Sequence, residues 1–177
     1  MQRVWFREAI DGLFNRGLKD VMTPELRGQL REAGIDLGHL QLTYPVEVFM
    51  RGLELAGDVV RPGESRFEQQ RELGRRFLLG YFDTPLGRAL ATLQRLTGPE
   101  AGLRRLPHAW RQVTNYVRTR LVSLEKGRAV LTYEPMAGLA GFVLGMGVET
   151  FTQLHRQPLR VEVREEGDVV HALVEWD

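Results

Sequence analysis

Residues 136–148, MAGLAGFVLGMGV, form a run of thirteen with no charge and no hydrogen-bonding side chain. A bilayer span takes about 20 apolar residues, so this run is too short to be one and belongs inside a folded domain. Leu139, Phe142, Val143 and Met146 recur at helical spacing on one face. Gly138, Gly141 and Gly145 recur at three- and four-residue spacing. Glycine costs about 1 kcal/mol relative to alanine inside a helix, and close backbone contact with a neighbour would offset that cost. The flanks suggest which neighbour. RAVLTY at 128–133 precedes the run, and LRVEVRE and VVHALVEW follow it. All three read as strands. The expectation is a buried glycine-rich helix lying on an antiparallel sheet, in a β-α-β-β unit.

The rest of the chain bounds the answer. At 177 residues it is long enough for a single domain with a sizeable core. A net charge of +1 gives no general attraction to nucleic acid or a membrane surface. With no cysteine there is no disulfide framework, thiolate metal site or cysteine nucleophile. The opening MQRVWFREAIDGLF mixes charges among its apolar residues, which argues against a signal peptide or membrane span. A cytoplasmic protein with no transmembrane segment is expected.

Residues 4–18 read as a short strand running into a helix, or as one helix. Thr23-Pro24-Glu25 is a helix start, and Gly34 suits the left-handed cap that would end it. Residues 35–43 read as a loop, and a longer helix is expected from Tyr44-Pro45 to about residue 59. Ser65 and Glu68 have capping-box spacing at the head of the next helix. Thr84-Pro85 starts another, with Leu86, Ala89, Leu90, Leu93 and Leu96 as its apolar residues and Gly98-Pro99 as its end. Further helix is expected at 100–105, before Pro107. Beyond residue 115 the period changes to two. Hairpins are expected at 116–133, turning at Glu125-Lys126-Gly127, and at 159–176, turning at Glu166-Gly167-Asp168. The whole reads as one α+β domain, 1–177, with a mainly helical part at 1–114 packed on an antiparallel sheet at 115–177 with a β-β-α-β-β ending.

Catalytic motifs are missing. His39, His108, His155 and His171 show no metal-ligand spacing, and neither HExxH nor GxSxG occurs. The glycines match neither GxGxxG nor GxxxxGK[ST], so helix packing is preferred to phosphate binding. No catalytic residue, metal ligand or cofactor is assigned. Between Arg104 and Arg128 there are seven basic residues and one acid, Glu125. Tyr116, Arg118 and Arg120 would share one strand face. Guanidiniums beside an aromatic ring suit an anion or an acidic partner; the alternative is a solvated face balanced by the acidic end of the chain. Nucleic-acid binding is not expected, since acids offset these arginines and no recognition helix stands out.

The segment LTYEPMAGLAGFVLGMGVETF with the closing VEVREEGDVVHALVEW resembles a superfamily. It joins the haem nitric-oxide-binding (H-NOX) domain, the V4R small-molecule-binding domain and the Bet3-like subunits of the TRAPP tethering complex. Over nearly its full length, through RLPHAWRQVTNY, FLLGYFDTPLGRAL and the final EW, the chain is also similar to a paralogous domain of unknown function abundant in myxobacteria. The H-NOX resemblance implies a Tyr-x-Ser-x-Arg motif holding the haem propionates. Here that stretch is Tyr133, Glu134, Pro135, Met136 and Ala137, so the tyrosine is kept while the serine and arginine are lost. The expected region of the proximal ligand, 93–105, has no histidine, and His108 lies beyond Pro107. Haem is therefore not expected.

What the resemblance does imply is a cavity between helices and sheet, and dimerisation through helices. The candidate lining is Phe49, Leu53, Phe77, Tyr81, Leu90, Phe142 and Met146, which would take a small apolar or aromatic molecule. The resulting expectation is a non-enzymatic sensor or adaptor acting through a homodimer or a partner protein. The alternative is a pure interaction scaffold whose core is filled.

Overall fold

The computed structural model of the chain describes residues 1–155 and 159–177. The N-terminal residues take the first of their two readings. Strand β1 (Val4–Phe6) runs into α1 (Arg7–Ile10), which continues as a π-helical turn over Asp11–Gly17. Next come α2 (Pro24–Glu32), β2 (Thr43–Pro45) and α3 (Val46–Val60). Tyr44 is thus the middle of a short strand paired with β1, opposite Trp5, and the helix starts after it. The larger helices are α4 (Arg66–Phe82) and α5 (Pro85–Trp110).

The C-terminal part holds β3 (Arg118–Glu125), β4 (Arg128–Glu134), α6 (Ala140–Leu154), β5 (Leu159–Glu166) and β6 (Val169–Trp176). Its four strands form one antiparallel sheet in the order β3-β4-β6-β5. Alternation decides its faces. Ala129, Leu131 and Tyr133 on β4, with Val170, Ala172 and Val174 on β6, are buried beneath the helices. The fold is α+β, with both C-terminal hairpins and the helix between them.

The helix starts behave as their residues dictate. The hydroxyl oxygens of Thr23, Ser65 and Thr84 accept hydrogen bonds from the amides of Leu26, Glu68 and Gly87, satisfying donors that have no partner in the first turn. Helix α5 breaks at Gly98 (φ 77°, ψ 174°), where only glycine sits without strain. It then resumes at Pro99, where further helix was expected over 100–105, and continues through Pro107 to Trp110.

The glycine-rich run is corrected in two respects. Its helix starts at Ala140, because Gly138 (φ 71°) turns the chain. The Gly138 amide donates to Glu165 Oε1 at 2.7 Å, and the Met136 amide donates to the Asp168 carbonyl at 2.8 Å. These bonds tie the turn to the β5–β6 hairpin. Second, the close neighbour of the helical glycines is α4 and not the sheet. A Cβ at Gly141 would overlap the Phe67 carbonyl oxygen, and one at Gly145 that of Arg71. Gly74 on α4 meets the Phe142 carbonyl in the same way. Gly147, by contrast, looks towards the sheet, where a Cβ would lie 3.6 Å from Val161. Helix α6 is therefore a middle layer between α4 and the sheet.

An aromatic chain fills the helical half. Trp5 and Phe49 stack at 4.0 Å, Phe49 meets Phe142 at 6.4 Å, and Phe142 meets Phe77 at 5.4 Å. Phe77 stacks on Tyr81 at 5.9 Å. Along α4, Glu72 accepts from Arg75 Nη2 at 2.7 Å and from Arg76 Nε at 2.8 Å. Arg76 also donates to Asp20 at 2.6 Å and to the Gly17 carbonyl at 3.1 Å, clamping α4 to the π-helical turn.

Candidate functional site

The packing of α5 sets the first candidate. Its leucines are the obvious apolar stripe, yet Leu86, Leu93 and Leu96 are 36, 41 and 80% exposed. The inward stripe is Gly87, Ala91 and Gln94, at helical spacing. The reason is steric: the start of α5 lies so near the end of α4 that a Cβ at Gly87 would overlap the Tyr81 carbonyl oxygen. Only small side chains fit there, and the helix turns its leucines outward.

At the Gln94 end of this stripe lies a cleft of about 70 Å³. Helix α5 lines it from both sides of the Gly98 break, with Gln94 before it and Gly102, Leu103 and Leu106 after it. Val143, Met146 and Gly147 of α6 form a second wall, and Leu131, Tyr133, Ala172 and Val174 of the sheet form the floor. The lining is mainly apolar. Thr150 reaches the cleft but donates its hydroxyl to the Met146 carbonyl at 2.8 Å. Burial pushes the Tyr133 phenol well above its usual range and holds the His155 imidazole below its own. Gln94 is 9% exposed, and its Oε1 is buried with no hydrogen-bond partner.

Of the cavity residues expected from sequence, Met146 alone lines this cleft. Phe49, Leu53, Phe77, Tyr81 and Phe142 are buried in the packed core, and Leu90 is half-buried against it. Burial, together with the Glu8 carboxylate, pushes the Tyr81 phenol up to about 12. Sequence reasoning passed over Gln94 and Leu131. The alternation of β4 and β6 carried a signal for Leu131, Ala172 and Val174. Gln94 had none, because a polar residue between leucines reads as outward-facing.

Tyr116, Arg118 and Arg120 do come together. They line an open groove of about 940 Å³ with Arg3, Arg111 and Thr119, edged by Glu134 and Asp168. Tyr116 lies just before β3, not within it. Trp5 Nε1 donates to its hydroxyl at 3.0 Å, and the Arg3 guanidinium stands 5.9 Å from its ring centre, in cation–π range. Arg118 and Arg120 point to solvent.

Among the described residues no group of three or more His, Asp or Glu side chains is placed to hold a metal ion. His39 and His108 are exposed, and His171 is half-buried, 3.6 Å from Glu166. Also among the described residues, no helix is long and apolar enough to cross a membrane.

Comparison with known proteins places this geometry. Residues 3–177 match one family along essentially their whole length. The chain belongs to the family "Protein of unknown function (DUF2378)". No curated protein matches it. Among solved structures it is similar to a doubly substituted Tt H-NOX, with a TM-score of 0.74 and 13% identity over 97% of this chain and 95% of that one. A K. algicida H-NOX variant in the unliganded Fe(II) state gives 0.70 and 14%, covering 97% and 96%. An oxygen-binding H-NOX domain related to soluble guanylate cyclases gives 0.63 and 16%, covering 96% and 92%. This member of the family has the H-NOX fold, as the sequence resemblance anticipated.

Proposed function

We propose that the domain is a non-enzymatic sensor. It binds a small apolar or aromatic molecule in the α5–α6–sheet cleft and reports occupancy through α5 to a second copy of the chain or a partner protein. One observation carries this reading: the cleft touches α5 on both sides of Gly98, while the opposite face of that helix exposes Leu86, Leu93 and Leu96. An occupant would fix the angle between the two segments of α5 and so the presentation of its leucines. A change of shape follows only from such differential contact.

Haem does not fit. The cleft of about 70 Å³ has no room for a porphyrin, which takes a pocket of at least several hundred Å³. Position 135 is proline, and Ala137, exposed on the turn before α6, offers no cation to a propionate. On α5 the inner face presents Gln94, Gly102, Leu103 and Leu106, while His108 faces solvent. The arginine groove at Tyr116, Arg118 and Arg120 is, in this reading, the surface for an acidic partner.

The second reading is a ligand-free interaction scaffold, favoured by the same leucine stripe, since leucines at helical spacing suit a partner helix. Native mass spectrometry separates the two. A dimer carrying a discrete small adduct supports the sensor, and a clean apo-dimer favours the scaffold. An adduct of haem mass would overturn the argument from Pro135, Ala137 and the cleft volume.

A further inference from the structure

Gln94 is an anomaly in the cleft. Buried polar groups are ordinarily hydrogen-bonded, and leaving one unmade is costly. Gln94 Oε1 is an acceptor with no partner, in a side chain that is nine-tenths buried. Its side chain lies against Gly102, whose Cβ, if present, would sit 3.7 Å from Gln94 Cγ and Cδ. That is an ordinary van der Waals distance, and both residues line the cleft wall. The walls around it are Leu103, Leu131, Val143 and Met146. A buried water needs two to four polar partners to be well held, and among the described residues Gln94 Oε1 is the one buried side-chain oxygen in the cleft lining without a partner.

We infer that the cleft recognises a compact apolar or aromatic molecule no larger than a single ring and carrying one O–H or N–H donor, as a phenol does, with that donor bonded to Gln94 Oε1. This rests on the sensor reading above. The apolar body would lie against Met146, Val143 and Leu131. Its one donor would reach the one orphan acceptor. An analogue that lacks the donor leaves the site's own acceptor unpaired and forgoes one net hydrogen bond.

The test compares phenol with toluene, which has a similar ring and no donor, by ligand-observed NMR titration of the full chain. Wild-type protein should bind phenol roughly fivefold to tenfold more tightly, the worth of one net hydrogen bond. Gln94→Met keeps the length of the side chain and removes the acceptor. It should abolish that preference, retain toluene binding, and have a higher thermal midpoint because no oxygen is left orphaned. Equal affinity of the wild type for both probes would overturn the role of Gln94 while leaving an apolar cleft intact. A phenol preference that survives Gln94→Met would overturn it too, placing the anchor elsewhere. Binding of neither probe would overturn the inference and the sensor reading together. The wild-type comparison holds even if the variant does not fold.

Discussion

Two glycines in α6 should respond to alanine in opposite directions. Gly145→Ala puts a Cβ 2.9 Å from both the Arg71 carbonyl carbon and the Arg75 amide nitrogen, and nearer still to the Arg71 oxygen. These are backbone atoms in the middle of α4, so no side chain can rotate away. The two helices must separate, and Gly141 and Gly74 on the same seam must move with them. Helix propensity returns about 1 kcal/mol. Overpacking a close-packed contact costs typically 1–3 kcal/mol and sometimes more, and a rigid backbone clash belongs at the upper end. The net expectation is a loss of about 2 kcal/mol. For a chain of this size that lowers the thermal midpoint by about 4–8 °C. Two residues on, Gly147→Ala places its Cβ 3.6 Å from Val161, an ordinary contact. There propensity prevails, and a gain of about 0.5–1 kcal/mol is expected. Urea denaturation followed by circular dichroism reads both as shifts in midpoint at constant slope. If Gly145→Ala proves neutral or stabilising, α6 does not meet α4 through a backbone seam, and the layering described above is wrong.

Three further outcomes follow from named contacts. Gly28→Ala, in the interior of α2 with no atom within 4 Å of the new Cβ, should stabilise by about 0.5–1 kcal/mol, checked by the same urea midpoint. Glu72, held below its ordinary value of 4.5 chiefly by the Arg75 hydrogen bond, contributes stability that is fully present above that value. It is lost as pH falls through the lowered folded-state value; Glu72→Gln should flatten the decline of the thermal midpoint below about pH 4.5, and an unchanged pH profile would remove Glu72 from the account. The double variant Arg118→Glu, Arg120→Glu should leave the thermal midpoint within about 1 °C, as exposed substitutions do. It should weaken binding of a polyglutamate peptide at low salt, measured by fluorescence anisotropy, and undiminished binding would remove these arginines from any acidic contact.

The fold was legible where local chemistry and global packing agree. Thr23, Ser65 and Thr84 announce helix starts because a short side-chain oxygen has one favourable use there. The β4 and β6 alternation survives because a sheet with one buried face tolerates no register slip. The candidate site was not legible, for a physical reason visible on α5. Leu86, Leu93 and Leu96 form the better hydrophobic stripe, and a stripe predicts burial only if the helix can approach its neighbour side chain first. Gly87 lies so near the α4 backbone that side-chain volume, not hydrophobicity, decides which face turns in. A polar residue, Gln94, is carried inward with that face.

The same rule explains why the expected cavity residues are mostly elsewhere. Phe49, Phe77 and Phe142 are large enough to satisfy one another, and they close the space between α3, α4 and α6. Space is left where residues are small, beside Gly102 and Gly147, and there the lining is built from three layers at once. A cleft assembled from α5, α6 and the sheet has no sequence signature of its own, since no single element holds more than a few of its residues. Its functional consequence lies in that shared construction. Helix α5 is the one wall with a break in it, at Gly98, and the one wall whose outer face is apolar and exposed. A ligand acting on the inner face and a partner acting on the outer face would therefore bias the same element, and each should tighten the binding of the other by an equal factor.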